Sequence, residues 1–232
     1  MFDALVADRF GFNAVQLGSM QIDALRSNRM PCRVRVCCVD EDPDGCDLLV
    51  DQFEALPFDT QSLDLLVLPH VLEFAQDPHQ VLREAERVLR PEGRLVLAGF
   101  NPVSLWGLRD WLGRPFERGF FPKPAHVLSA LRLRDWCKLL DLSVESIQHG
   151  CFRPPCRSDR WLARTAFLES AGDRWWPICG ALYLLTAVKR QTSVRLVGAA
   201  WKRRPVRRAS VAVAAPQSST RDCVKDSLEQ RY

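Results

Sequence analysis

Long apolar runs and metal-ligand spacings are what this chain lacks, and no export leader is expected. The longest nearly apolar stretch, Trp175 to Val188, falls short of the roughly 18 residues of a membrane span and is interrupted by Pro177 and Gly180. It is expected to be a buried strand with its lead-in. The opening, MFDALVADRFGF, lacks the basic segment, apolar run and small-residue cleavage site of a secretory leader, so a cytoplasmic protein without a transmembrane segment is expected. The nine cysteines are odd in number and, with no leader, are expected to be reduced. Neither Cys37–Cys38 nor Cys151 with Cys156 has a zinc spacing. No metal site is therefore expected, and most of the thiols read as small buried hydrophobes. Net positive charge is lacking outside the last stretch. The formal net charge is +4, but eight Lys or Arg against three Asp or Glu from Lys202 to Tyr232 leave the preceding body at −1. A basic nucleic-acid platform on the body is excluded.

What is present suits one sizeable core. A chain of 232 residues, 47% hydrophobic and 26% charged, is ordinary for a globular protein. The expected organisation is one domain over residues 1–201, with an insertion from Gly150 to Pro177, then a flexible basic tail over 202–232. The tail begins KRRPVRRAS and has too little apolar surface to offset its ordering entropy. Contact of this tail with nucleic acid or an acidic surface is one reading. A solvated charge run is the ordinary one.

The organising stretch runs from Asp47 to Pro102. Leu63 to Leu68 is apolar without alternation, which suits a parallel strand covered on both faces. Asp77 and Pro78 have the types that cap and open a helix, and Gln80 fits a capping box. Val81, Leu82, Ala85, Val88 and Leu89 share one helical face, opposite Arg83, Glu84, Glu86 and Arg87. Pro91 and Gly93 stop the helix, and Arg94 to Ala98 resumes an apolar run. The unit is strand, helix, parallel strand with a right-handed crossover.

The ordered series EALPF, SLDLLVLPHVLEF and REAERVLRPEGRLVL resembles the middle of class I S-adenosylmethionine-dependent methyltransferases of the methyltransferase type 11 group. Its continuation GFNPVSLWGLR resembles a subgroup of uncharacterised bacterial methyltransferase-like proteins. The resemblance implies an α/β, Rossmann-like sandwich with a mostly parallel sheet, an antiparallel last strand and a pared-down N-terminal half. It implies S-adenosylmethionine as cofactor. A glycine-rich turn is expected after the first strand, so that backbone can approach the methionine part closely. Here the strand candidate Phe12 to Leu17 is followed by Gly18 alone, with Ser19 and Met20 behind it. Asp40, after a strand candidate over 33–39, matches the acid that binds the ribose hydroxyls, and a solvated acidic loop is the competing reading. Asp51 or Gln52, with Phe53 as an aromatic face, matches the adenine site after a third strand over 48–51. Leu68, Pro69 and His70 pass beside the methyl group.

Further elements follow from periodicity. Helices are expected before Gly11, over 21–29, after Pro69 and over 131–140, with strands over 142–147 and 181–189. SLWGLRDWLG reads as an aromatic-rich helix, Phe116 to Pro124 as a flap, and Trp161 to Ser170 as a helix within the insertion. His70 and Glu73, three apart, share a face and are the candidate catalytic pair. Against this, His70 as a helix cap and Glu73 as a solvated carboxylate is the plain alternative. The resulting expectation is a methyltransferase acting on a small-molecule nucleophile. A catalytically silent protein of the same fold, binding or scaffolding, is the alternative raised by the single glycine.

Overall fold

Leu63 to Pro69 form the central strand that their unbroken apolar run predicts. In the computed structural model, which describes residues 2–39, 45–113, 127–153, 165, 172 and 174–190, this strand is β4. It lies between β1 (Asn13–Leu17) and β5 (Leu89–Phe100), parallel to both. Its two faces enter two different cores. Leu63, Leu66 and Leu68 pack with Val81, Leu82, Ala85 and Val88 of helix α2 (Pro78–Val88). Leu65 and Val67 pack with Leu5 and Val6 of α1 (Phe2–Val6) and with Leu25 and Met30. Two apolar faces remove the alternation that one wet face would impose.

The sheet has seven strands in the order β3-β2-β1-β4-β5-β7-β6. β2 is Cys32–Cys38, β3 Leu48–Val50, β6 Leu142–Gly150 and β7 Leu182–Lys189. Only β7 runs antiparallel to its neighbours β5 and β6, as expected of the last strand. Helices α3 (Leu105–Gly113) and α4 (Ala130–Leu139) follow β5. The Ser129 hydroxyl caps α4 by accepting from the Arg132 amide. No helix among the described residues is long and apolar enough to cross a membrane.

α2 begins as expected, with Asp77 accepting from the amides of His79 and Gln80 at 2.9 and 3.2 Å. The capping box is closed by a different residue. Glu54 of the EALPF turn, not Gln80, accepts from the Asp77 amide at 3.1 Å and from Gln76 at 3.0 Å. The helix ends at Val88, and β5 starts at once with Leu89 rather than at Arg94. Glu92, with φ +64°, and a register shift opposite Leu63 and Leu65 accommodate Pro91 and Gly93 within the irregular start of β5. Lys189, buried at the end of β7, donates to the Glu86 and Leu89 carbonyls at 2.6 and 3.0 Å. It thereby satisfies oxygens that the helix end leaves free.

Three expectations are corrected. Residues 21–29 form turns, not a helix. The fully buried Gln16 donates to the Ile22 carbonyl at 2.6 Å and accepts from the Ala24 amide at 2.9 Å, so its amide takes up groups a helix would bond internally. After Pro69 there is a single turn, closed by the Phe74 and Ala75 amides on the Val71 carbonyl, because Glu54 captures the next two amides. The cysteines are also less buried than expected. Of the seven described, only Cys37 and Cys137 are buried, and burial pushes the Cys137 thiol up to about 12. Asp40, the Phe116–Pro124 flap, the Trp161–Ser170 helix and the tail lie outside the described residues.

Candidate functional site

Parallel strands all finish at one edge, and open α/β sheets bind ligands there. The ends of β1, β2, β3 and β4 meet at this edge around a cavity of about 420 Å³. Gly18 follows β1, Cys38 ends β2, Asp51 to Glu54 follow β3, and Pro69 to Val71 end β4. Of the residues expected to hold a cofactor, Gly18, Asp51, Gln52, Phe53 and Pro69 line the cavity together with His70. Leu68 does not. Its side chain is 1% exposed and belongs to the core under α2, because alternation along β4 turns it inward.

Gly18 is required on two counts. Its φ is +89°, and a Cβ there would sit 2.7 Å from Cγ2 of Val71. Its amide donates to the Val36 carbonyl at 2.9 Å, tying the turn to β2. The Cys38 thiol donates to the Asp51 carbonyl at 2.9 Å and so joins the ends of β2 and β3. Around the rim, Asp51 and Gln52 are exposed polar groups, Phe53 is 8% exposed, and Phe74 is 46% exposed. The lining thus combines polar groups with apolar rings.

Glu73 is not solvated. It is 1% exposed, and its carboxylate accepts from the Phe100 amide and lies 3.2 Å from His70 Nδ1. His70 itself has φ +58°, its amide donates to the Ala98 carbonyl at 3.1 Å, and its ring lies 4.4 Å from that of Phe100. Tyr183 of β7, 2% exposed, donates to the Leu128 carbonyl at 3.0 Å. Burial, and then the charge of Glu73, push its hydroxyl well above the ordinary tyrosine value.

The sequence reading missed Ser19, Cys38, Glu54 and Phe74 as lining residues. Ser19 and Cys38 could have been found as the residues at the carboxyl ends of strands. Glu54 could not, because its partners, the amides of Gln76 and Asp77, lie more than twenty residues away.

The fold is an α/β, Rossmann-like sandwich whose structural neighbours include S-adenosylmethionine-dependent methyltransferases. The sequence agrees, since residues 20–97 match the family model described as a methyltransferase domain. A similar solved structure, a SAM-dependent methyltransferase from Thermotoga maritima, superposes with a TM-score of 0.60 at 18% identity, over 82% of this chain and 87% of that one. A second, from Mesorhizobium loti, gives a TM-score of 0.52 at 15% identity, over 81% and 95%. Among curated proteins, Uncharacterized protein YafS of Escherichia coli is 43% identical over 89 residues, 38% of this chain and 36% of that one. The ubiquinone/menaquinone biosynthesis C-methyltransferase UbiE of Hahella chejuensis is 40% identical over 64 residues, 26% of each chain. The matches span less than half the length of these curated relatives.

Proposed function

We propose that this chain is an S-adenosylmethionine-dependent methyltransferase acting on a small-molecule nucleophile. The observation that carries the reading is the convergence of Gly18, Asp51, Gln52, Phe53, Pro69 and His70, distant in sequence, on one cavity. The residues present fit the cofactor. At Gly18 a side chain would fill the space beside Val71, so bare backbone fronts the cavity where the methionine part would lie. Asp51 or Gln52 would accept from the adenine amino group, with the Phe53 ring against the base. Asp40 would accept from the ribose hydroxyls, and Pro69 would contribute backbone. When bound, the cofactor supplies an electrophilic methyl group on a sulfonium. The chain's own contribution is to hold the acceptor in line with it and to exclude water, so orientation supplies most of the rate.

Calorimetric titration of the full chain with S-adenosylmethionine and S-adenosylhomocysteine tests this. Binding is expected, and Asp40→Ala should lose roughly 1.5 to 3 kcal/mol, about ten- to a hundredfold in affinity. No heat and no thermal shift at millimolar cofactor would overturn the reading in favour of a silent protein of this fold, with the lone Gly18 as the physical reason.

A further inference from the structure

The geometry points to a carboxylate-oriented general base in the same cavity: His70 takes a proton through Nε2, Glu73 positions it, and the methyl acceptor is a hydroxyl group on an apolar, planar molecule. This rests on the reading of the cavity as a methyltransferase site. Three observations converge on it.

First, Glu73 is 1% exposed, and its ion-pair partner among the described residues is His70, 3.2 Å away. A buried carboxylate needs hydrogen bonds to stay ionised. The Phe100 amide supplies one, and the Nδ1–H of His70 supplies the other. A proton on Nδ1 leaves Nε2 bare, which makes it an acceptor. Secondly, His70 lines the cavity while its side chain keeps only 17% of its surface exposed. The imidazole therefore sits between a buried carboxylate on one side and the ligand space on the other. Thirdly, His70 occupies the left-handed region at φ +58°. Glycine would adopt that conformation without penalty. A side chain is held there regardless, by Glu73 and by the Phe100 ring at 4.4 Å.

The surroundings set the direction of proton flow. Facing His70 are Glu73 from the turn after β4, Phe100 from β5 and, near Glu73, the Tyr183 hydroxyl from β7, which burial keeps neutral. Asp51 and Glu54 share the cavity wall. The described groups around the imidazole are thus neutral or anionic, an environment that stabilises the imidazolium as it forms. The acceptor O–H proton passes to Nε2 while the oxygen electron pair forms the bond to the methyl carbon, and the sulfur keeps the pair of the broken C–S bond. The imidazolium then returns its proton to water. An acceptor that is already anionic, a carboxylate or thiolate, needs no such base, and it would meet the charge of Glu73. Val71 and Phe74 on the same wall favour an apolar ring carrying the hydroxyl.

The test has two arms on the full-length chain. Long-range proton–nitrogen NMR should find His70 as the Nδ1–H tautomer, with that population falling in Glu73→Gln. Finding the Nε2–H tautomer in the wild type would overturn the dyad, whether or not cofactor binds. In the second arm, methyl transfer from labelled cofactor is measured to 4-nitrophenol and 4-nitrocatechol, with benzylamine, benzoate and thiophenol alongside. Transfer to a hydroxyl probe is expected, with kcat about a hundredfold lower in His70→Gln. Calorimetric affinity of that variant for S-adenosylhomocysteine should change by less than about threefold, since binding energy is separate from proton transfer. Retained kcat in His70→Gln, or no transfer to either hydroxyl probe, would overturn the assignment. Failure of the wild type to bind cofactor would instead sink the methyltransferase reading itself, which the first arm does not depend on.

Discussion

Gly18 and Glu73 show how differently single residues announce themselves. Gly18 was legible because a lone glycine after a strand candidate has few other uses, and its φ of +89° supplies the reason. Substituting alanine puts a Cβ 2.7 Å from Val71 Cγ2 in a left-handed conformation, a cost of about 1 to 2 kcal/mol. Gly18→Ala is expected to lower the thermal midpoint by several degrees and to weaken cofactor binding, measured by thermal unfolding with and without S-adenosylhomocysteine. For Glu73 the three-residue spacing to His70 was legible, but nothing local decided between a shared face with His70 and a solvated carboxylate. The acceptor role that buries it depends on the Phe100 amide, twenty-seven residues away.

At the scale of elements, α2 carries the most specific features. Asp77 caps it with two short bonds, so Asp77→Ala should cost about 1 kcal/mol in denaturant unfolding. A second device lies at its other end. The Arg87 guanidinium donates to the Leu56 carbonyl at 3.0 Å, to Phe58 at 2.9 Å and to both carboxylate oxygens of Glu84. Glu84 in turn accepts from the Leu56 amide at 3.2 Å. These bonds join the EALPF turn to the helix that contains REAERV, so two of the three segments that carry the family resemblance are in direct contact. Arg87→Ala leaves the two carbonyls without their donor and should destabilise the chain by roughly 2 to 3 kcal/mol, read from the urea midpoint. The helical period of α2 was legible in its apolar face, whereas the Glu54 cap was not, because no local pattern links residue 54 to residue 77. The misplaced helix over 21–29 fails for a related reason. Its apolar spacing was adequate, but the Gln16 side chain bonds the backbone of Ile22 and Ala24 and holds the segment in turns.

For the whole molecule, the depressed carboxyls set the response to acid. Hydrogen bonds from Arg87 hold Glu84 below its ordinary value against the opposing effect of burial, and the Arg35 amide does the same for Asp47. A lowered folded value contributes stability above the unfolded value, about 4 for these groups, and that contribution is lost as pH falls through the folded value. His149, whose value burial lowers, adds a loss that begins as pH drops below about 6.5. The thermal midpoint is therefore expected to decline gently from pH 7 to 5 and steeply below 4, with the steep part reduced in Glu84→Gln, as followed by calorimetric scans.

The order of strand, helix and parallel strand from Leu63 to Ala98 was settled by the sequence alone, and the antiparallel final strand was implied by the family resemblance. An unalternating apolar run and a capped amphipathic helix are local signals and appear where expected, whereas Pro91 and Gly93 fall inside β5 rather than between helix and strand. The carboxyl-edge residues Gly18, Asp51, Gln52, Pro69 and His70 were also named from sequence, but only tertiary structure could bring them to one cavity. Tertiary structure alone decided that Leu68 faces the core, that Glu73 is buried behind His70, and that Glu54 caps α2. Those outcomes depend on which strand lies beside which, and on hydrogen bonds between groups twenty to thirty residues apart, a distance over which sequence pattern carries no phase.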